Sequence, residues 1–506
     1  MGRIGDLLRK SITGIAGGTV DIFGDASVII KKATGILKRA DDLSVGGLVE
    51  EVLQRVRRSP DLISPDTLLD TKLTRSILSA VIERVGSLPA IQAGVFSNDI
   101  NAATLILIRD RAAELATFLV DLIEAAKCYA LANALEGEVE DNDPHGRYNE
   151  YNEFDFTKPM NRHAAICQIQ RLARSVIFIL QKVAEPVKLQ DINMTPETKL
   201  RSDYGTLSGG TITTKPAGGR SSGQDEMRKD EKWFFVNGIA GEQYWLRLAC
   251  NKLKATFSRD ITGIFNRGDG ILWDIIECAG ERSTYRPNEG PNVENIVKRQ
   301  RILIQRTSSS LEAQKALKKE LGEVLGMDDL PAHIVVIAHS QGCLLLRHVL
   351  EDLVRDATND PKLGDTMSTR LCVFTFGNPS LHWKTDLIHP NQGPNEGQES
   401  KDPTFLSSHV YRTEHFANKG DIIAKLGVLS GNRPLESGYK KDEVFINNDK
   451  DWIGHLFGTQ YSLDAGHYKD SNDQKSLLLT CKGGMSVEEA NREFLSPVRQ
   501  SFLRKD

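Results

Sequence analysis

The spacing of apolar residues changes near residue 230. Before it, Leu105, Ile108, Ala112, Leu115, Leu119, Leu122 and Ala126 recur at intervals of three or four, and so do Ile166, Ile169, Ala173, Val176, Leu180 and Val183. That period gathers each set on one face of a helix, a stripe that is stable only when packed on another helix. After residue 230, short runs rich in β-branched and aromatic residues alternate with helical stretches. Residues 233–236, 261–265, 334–338, 371–376, 409–416 and 444–446 read as strands. Residues 243–257, 271–278 and much of 293–325 read as helices, and Leu344, Leu345, Leu346, Val349, Leu350 and Leu353 carry a helical period directly after the strand at 334–338. Strands alternating with helices predict an α/β unit with a mostly parallel sheet and right-handed crossovers.

Between the two patterns, residues 202–228 read SDYGTLSGGTITTKPAGGRSSGQDEMR, rich in Gly, Ser and Thr and without an apolar period. The composition predicts a flexible linker or long loop. The expected organisation is therefore an α-helical N-terminal domain over 1–201, a Gly/Ser/Thr-rich linker over 202–230 and an α/β domain over 231–506. Residues 1–45 place Ile4, Leu7, Leu8, Ile12 and Ile15 on one helical face beside small basic clusters. Such a face can lie on a membrane surface or on a protein partner, but Asp21 and Asp25 dilute its charge, and packing within the N-terminal domain is the plainer use. Residues 136–151 read as an acidic exposed loop. Asp141-Asn142-Asp143 within it lacks the following Gly and closing Glu that a calcium loop requires.

Composition narrows the classes. A net charge of −4 gives no reason to expect nucleic-acid binding. No apolar run is long enough to span a bilayer; the richest segments, 105–123 and 164–183, are broken by Arg109, Asp110, Arg111, Arg171 and Arg174. The N-terminus shows no clean apolar core of a signal peptide, and Asp6 stands where an N-myristoylation pattern needs Ser or Thr. The seven Cys are scattered without C-x-x-C spacing, which fits reduced buried thiols in a cytoplasmic protein and gives no metal site.

The chemistry is concentrated at Ala338-His339-Ser340-Gln341-Gly342. A chain that passes sharply from strand to helix crowds its backbone two residues before and two after the turn, so those positions must be small. The turn raises the Ser340 hydroxyl above the sheet edge at a helix N-terminus, where developing negative charge is favoured. A Ser in this place can also be only a helix cap. The strand before it and the helix after it favour a nucleophile. The stretch resembles the nucleophile elbow of the α/β-hydrolase superfamily, in its lipase and esterase branch, with Ala338 where the family has its first Gly. The resemblance covers roughly the second half of the chain. Six strands are legible there, and a full sheet of that family has two more at its start.

The resemblance implies a triad in the chain order Ser, then Asp or Glu, then His. Asp421, in the turn Asn418-Lys419-Gly420-Asp421-Ile422-Ile423, resembles the acid loop of many lipases; the plain alternative is an N-cap, and Asp386 is the runner-up. His455 and His467, each preceded by Gly, are the candidates for the base. His455 is favoured because an apolar stretch follows it and can anchor the imidazole. The oxyanion donors implied are the backbone amides of Gln341 and of Ile239, in a loop that Gly238 lets turn and Asn237 can orient. The function so implied is hydrolysis of carboxylic esters, with lipid esters as the substrate class, and needs no cofactor or metal. The competing expectation is a non-catalytic scaffold whose helical N-terminal half is an interaction module. A third is a hydrolase restrained or delivered to a membrane by its N-terminal helices. Location is expected to be cytoplasmic, with peripheral membrane association the added option.

Overall fold

The computed structural model describes residues 150–155, 157–165, 167, 168, 171, 208–214, 230–268, 270, 271, 274, 277, 278, 308–385, 403–431, 437–448, 454–470 and 475–492. The N-terminal segment 1–45, the two helical stripes, the acidic loop before residue 150 and Asp386 lie outside these residues.

Among the described residues, seven strands form one sheet: β1 (Thr211–Thr214), β2 (Glu231–Val236), β3 (Ile261–Ile264), β4 (His333–His339), β5 (Leu371–Phe376), β6 (Arg412–Asn418) and β7 (Val444–Asn447). Their order across the sheet is β1-β3-β2-β4-β5-β6-β7. All pairings are parallel except β1 with β3, where Thr211 opposes Ile264 and Thr214 opposes Ile261. The described helices include α1 (Gln243–Phe257), α2 (Ser308–Leu325), α3 (Gln341–Ala357), α4 (Pro361–Arg370), α5 (Ile422–Leu426) and α6 (Leu477–Thr480).

The continuous apolar runs follow from burial on both faces. Alternate residues of β2, β4 and β5 divide between two cores. Phe234, Val236, Ile334, Val336, Leu371 and Val373 pack with residues of α2 and α3 on one side. Trp233, Phe235, Val335, Ile337, Cys372 and Phe374 pack with α1, Phe457, Tyr461 and α6 on the other. Every residue of β4 is buried, which fixes the height at which the turn after it leaves the sheet.

Three departures from the expected elements have physical causes. Residues 208–214, expected within a structureless linker, belong to the sheet. Gly209 N donates to Phe265 O, and Thr211–Thr214 form the antiparallel edge. The alternating exposure of β1 is that of a one-sided edge strand. The last parallel strands run further than expected, to Asn418 and Asn447, because polar residues at their ends pair as well as apolar ones. Helix α4 was hidden by its polar composition; its signals are Pro361 at the first turn and Asp360, which accepts from Leu363 N at 3.2 Å.

A buried charged staple closes the foot of the sheet. Glu231 accepts from Trp233 Nε1 at 3.0 Å, from Arg259 Nε at 2.9 Å and from Val487 N at 2.7 Å. Arg259 also donates to Gly484 O and Met485 O. Each carboxylate and guanidinium group so enclosed is tolerated because it is both paired and hydrogen-bonded. No helix among the described residues is long and apolar enough to cross a membrane.

Candidate active site

β4 ends at His339, and Ser340 makes the turn into α3 with φ 57° and ψ −126°. A non-glycine residue rarely adopts this conformation, which costs on the order of 1–3 kcal/mol and persists only where the surroundings hold it. They do so here. Ser340 N donates to Phe376 O at 2.8 Å, and Cys343 N donates to Ser340 O at 2.9 Å. A Cβ at position 342 would lie 2.7 Å from Val236 O and 2.8 Å from Asn237 O, so glycine is required there. Position 338 is different. Ala338 is itself a fully buried member of the apolar core that includes Val236 and Leu346, so the small residue before the turn need not be glycine.

Three of the sequence-derived residues meet. His455 Nδ1 donates to Asp421 Oδ2 at 2.8 Å, and Ser340 Oγ donates to His455 Nε2 at 2.7 Å. A carboxylate only accepts, so the proton of the neutral imidazole is on Nδ1 and the Nε2 lone pair faces the hydroxyl. Asp421 also makes the N-cap that was the plain alternative for it. Its Oδ1 caps α5 by accepting from Ile423 N and Ala424 N, which leaves Oδ2 for His455. Burial pushes the Asp421 carboxyl up, but the facing His455, its hydrogen bond and that from Tyr461 outweigh this and hold it below the ordinary carboxylate range. His467 lies elsewhere and bonds Ser462 Oγ through Nδ1 at 2.6 Å.

The loop of His455 is fixed by side chains rather than by regular structure. Gln460 Oε1 accepts from His455 N and Leu456 N. Asn418 Nδ2 donates to Gly454 O and Gln460 O. Lys252 Nζ donates to the carbonyls of Phe457, Gly458 and Tyr461 at 2.8, 2.9 and 2.6 Å. Burial lowers this ammonium to about 8, against the opposing pull of Glu153.

The loop after β2 lies over the serine. A Cβ at position 238 would overlap the Cβ of Ser340, so only glycine fits. Asn237 Nδ2 donates to Gly238 O and Asn266 O, and its Oδ1 accepts from Asn266 N, which clamps the loop to the end of β3. Half-buried Ile239 follows, and then Ala240, at φ 52°, donates its amide to Asp274 Oδ2 at 2.8 Å. Gln341 begins α3. Its side chain accepts from Asn266 Nδ2 at 2.7 Å and donates to Glu277 Oε2, so the residue that follows Ser340 is held through both its oxygen and its nitrogen.

Two residues of the site escaped the sequence reading. Tyr461, fully buried, donates its hydroxyl to Asp421 Oδ2. His339, one residue before Ser340, packs on His455 with ring centroids 4.7 Å apart and planes tilted by 33°, and donates from Nε2 to His455 O at 2.7 Å. Burial first, and the facing His455 second, push His339 down to about 3, so it remains neutral. Its position beside Ser340 was the available signal. For Tyr461 there was none, because its partner is distant in sequence.

Chemically, the arrangement offers a hydroxyl whose proton can pass to a neutral imidazole, an anionic carboxylate behind that imidazole, and two backbone segments meeting at the serine. Comparison of the chain with protein-family models, with curated proteins and with solved structures finds no match.

Proposed function

We propose that this chain is a serine hydrolase of the α/β-hydrolase superfamily that cleaves carboxylic esters through an acyl-enzyme on Ser340. The observation that carries the reading is the unbroken hydrogen-bond chain Ser340–His455–Asp421 on a strained strand-to-helix turn. Ser340 Oγ attacks the ester carbonyl as His455 Nε2 takes its proton. Asp421 holds the imidazolium that forms. The amides of Gln341 and Ile239 receive the oxyanion, each such donor being worth about 3 kcal/mol in the transition state. His455 returns the proton to the leaving alcohol, and a water molecule, activated the same way, releases the acid. The antiparallel β1 supports the superfamily reading, since it adds a strand ahead of β2 where that family's sheet has more than the sequence alone displayed. Lipid esters as the substrates rest on the resemblance at Ser340-Gln341-Gly342.

A fluorophosphonate probe tests the reaction. Covalent labelling of the wild-type chain that disappears in Ser340→Ala is the expected result; a wild-type chain that does not label overturns the proposal in favour of a non-catalytic scaffold. Hydrolysis of esters of graded chain length beside a phospholipid panel then tests the lipid assignment, which fails if only the shortest esters react.

A further inference from the structure

The two loops that meet at Ser340 come from opposite ends of the α/β unit, and one short segment bonds to both. The described residues of 150–171 lie across them. At one end Glu153 accepts from Gly458 N at 2.6 Å through Oε1 and from Thr459 Oγ1 at 3.2 Å through Oε2. The approach is close enough that a Cβ at position 458 would collide with Tyr151 O and lie 2.5 Å from Glu153 Oε1. Gly458 and Thr459 belong to the loop of His455, and Lys252 grips the same turn from the other side through the carbonyls of Phe457, Gly458 and Tyr461.

At the other end of the segment, Gln168 Nε2 donates to Glu242 Oε1 at 2.7 Å and to Gly241 O at 3.4 Å, and fully buried Arg171 pairs with the same Glu242 oxygen. Gly241 and Glu242 directly continue Asn237-Gly238-Ile239-Ala240, the loop over the serine. Between the two ends, Trp245 Nε1 donates to Asn161 Oδ1 at 3.0 Å, and Asn161 Nδ2 donates to Asn152 O and Asp155 O, which keeps the segment in one piece. A glutamate and an arginine are costly to bury unless their partners are fixed. Here the partners are the two loops of the site.

We infer that the described residues of 150–171 form a strap that sets the base loop against the oxyanion loop, with Glu153 and Arg171 as positioning residues for hydrolysis at Ser340. The inference rests on the hydrolase reading for its chemistry, though not for its geometry. Neither residue touches the reacting atoms. Glu153 acts through the turn that follows His455, and Arg171 through Glu242 at the end of the Ile239 loop. The stretch before the sheet thereby becomes part of the catalytic unit, and a displacement of that stretch reaches both halves of the site together.

The test uses the full chain with Glu153→Ala, Glu153→Gln, Thr459→Val and Arg171→Ala, and reads hydrogen exchange, steady-state kinetics on a short soluble ester, and thermal melting. Glu153→Ala is expected to speed exchange across 454–461 by about tenfold or more, as local opening of a loop that has lost an anchor. The same variant should lower kcat by about tenfold with KM nearly unchanged, since only the transition-state arrangement suffers. Glu153→Gln, which keeps an acceptor of the same shape, should recover most of that loss. Arg171→Ala should speed exchange across 237–242 instead. If Glu153→Ala does not fold, the milder Thr459→Val and Glu153→Gln must show the same pattern in smaller measure. Unchanged exchange in both loops, or a kcat within about twofold of wild type in stably folded Glu153→Ala, overturns the strap. A wild-type chain without labelling or turnover counts against the hydrolase reading alone, and the exchange measurements still decide the strap.

Discussion

Tyr461 and His455 donate to the same oxygen of Asp421. The phenol and the imidazole Nδ1 converge on Oδ2, while Oδ1 is occupied by the first amides of α5. Both oxygens of the buried carboxylate are thus satisfied, and its basicity is divided between a neutral phenol and the proposed catalytic imidazole. Tyr461→Phe removes a hydrogen bond to a charged group, worth about 1.5–3 kcal/mol. The carboxylate then becomes more basic and holds the imidazolium more tightly. The acid limb of kcat/KM is expected to move to higher pH, with a modest fall in kcat at the plateau. A profile superimposable on that of wild type would show that Tyr461 only fills space.

The choice between the two histidines is decided by one pair of variants. His455→Ala should lower kcat by about four orders of magnitude, the scale of losing a triad member. His467→Ala breaks the bond to Ser462, away from Ser340, and should leave kcat within about threefold of wild type. Equal losses, or retention of activity by His455→Ala, would remove the catalytic assignment of the hydrogen-bond chain.

Gly238→Ala tests the loop over the serine. The added methyl has no room beside the Cβ of Ser340 and would lie 2.9 Å from His339 Nδ1. The loop must shift away from Ser340, carrying the Ile239 amide with it. Loss of this proposed oxyanion donor predicts a fall in kcat of about 100- to 1,000-fold, with fluorophosphonate labelling slowed in parallel. Normal turnover in a folded Gly238→Ala protein would place the oxyanion elsewhere.

His339 gives a stability prediction. Its folded value is about 3 against an ordinary 6.5, so the unfolded chain takes up a proton that the folded chain refuses. The stability associated with neutral His339 is complete above about pH 6.5 and is lost as pH falls toward about 3, at no more than about 1.4 kcal/mol per pH unit. His339→Gln keeps an amide donor for His455 O but does not titrate. Urea unfolding at about pH 7 and about pH 5 should show a smaller pH dependence in this variant than in wild type. Equal dependence in the two proteins would mean that His339 takes its proton within the fold.

Much of the architecture was legible because burial on both faces writes itself as unbroken apolar runs; residues 334–338 are an instance, and all of them lie in β4. The turn at Ser340 was legible for a local reason, since the strand, the small residues Ala338 and Gly342 and the helical period after them all lie within one short stretch of sequence. What could not be read was contact between distant residues. Nothing in the neighbourhood of Glu153 points to Gly458, and nothing near Tyr461 points to Asp421. The strand Thr211–Thr214 was obscured by its setting: its Thr-Ile-Thr-Thr has β-branched residues at every position, but the glycines and serines around it suggested loop. Six strands were read where the described sheet has seven.

The staple at Glu231 has a consequence for how the protein is made. Glu231 leaves the ribosome with the first parallel strand, whereas Val487, Gly484 and Met485, which complete the bonding of Glu231 and Arg259, emerge only after every other strand of the sheet. Until then a carboxylate and a guanidinium lack the amide and carbonyls that make their enclosure tolerable. The enclosure of Glu231 and Arg259 is therefore completed only after the last strand of the sheet has been made, and apolar surface left open until then is the condition under which chaperones are recruited. Chains released before Gly484 should remain sensitive to protease, although they hold Ser340, Asp421 and His455 in full.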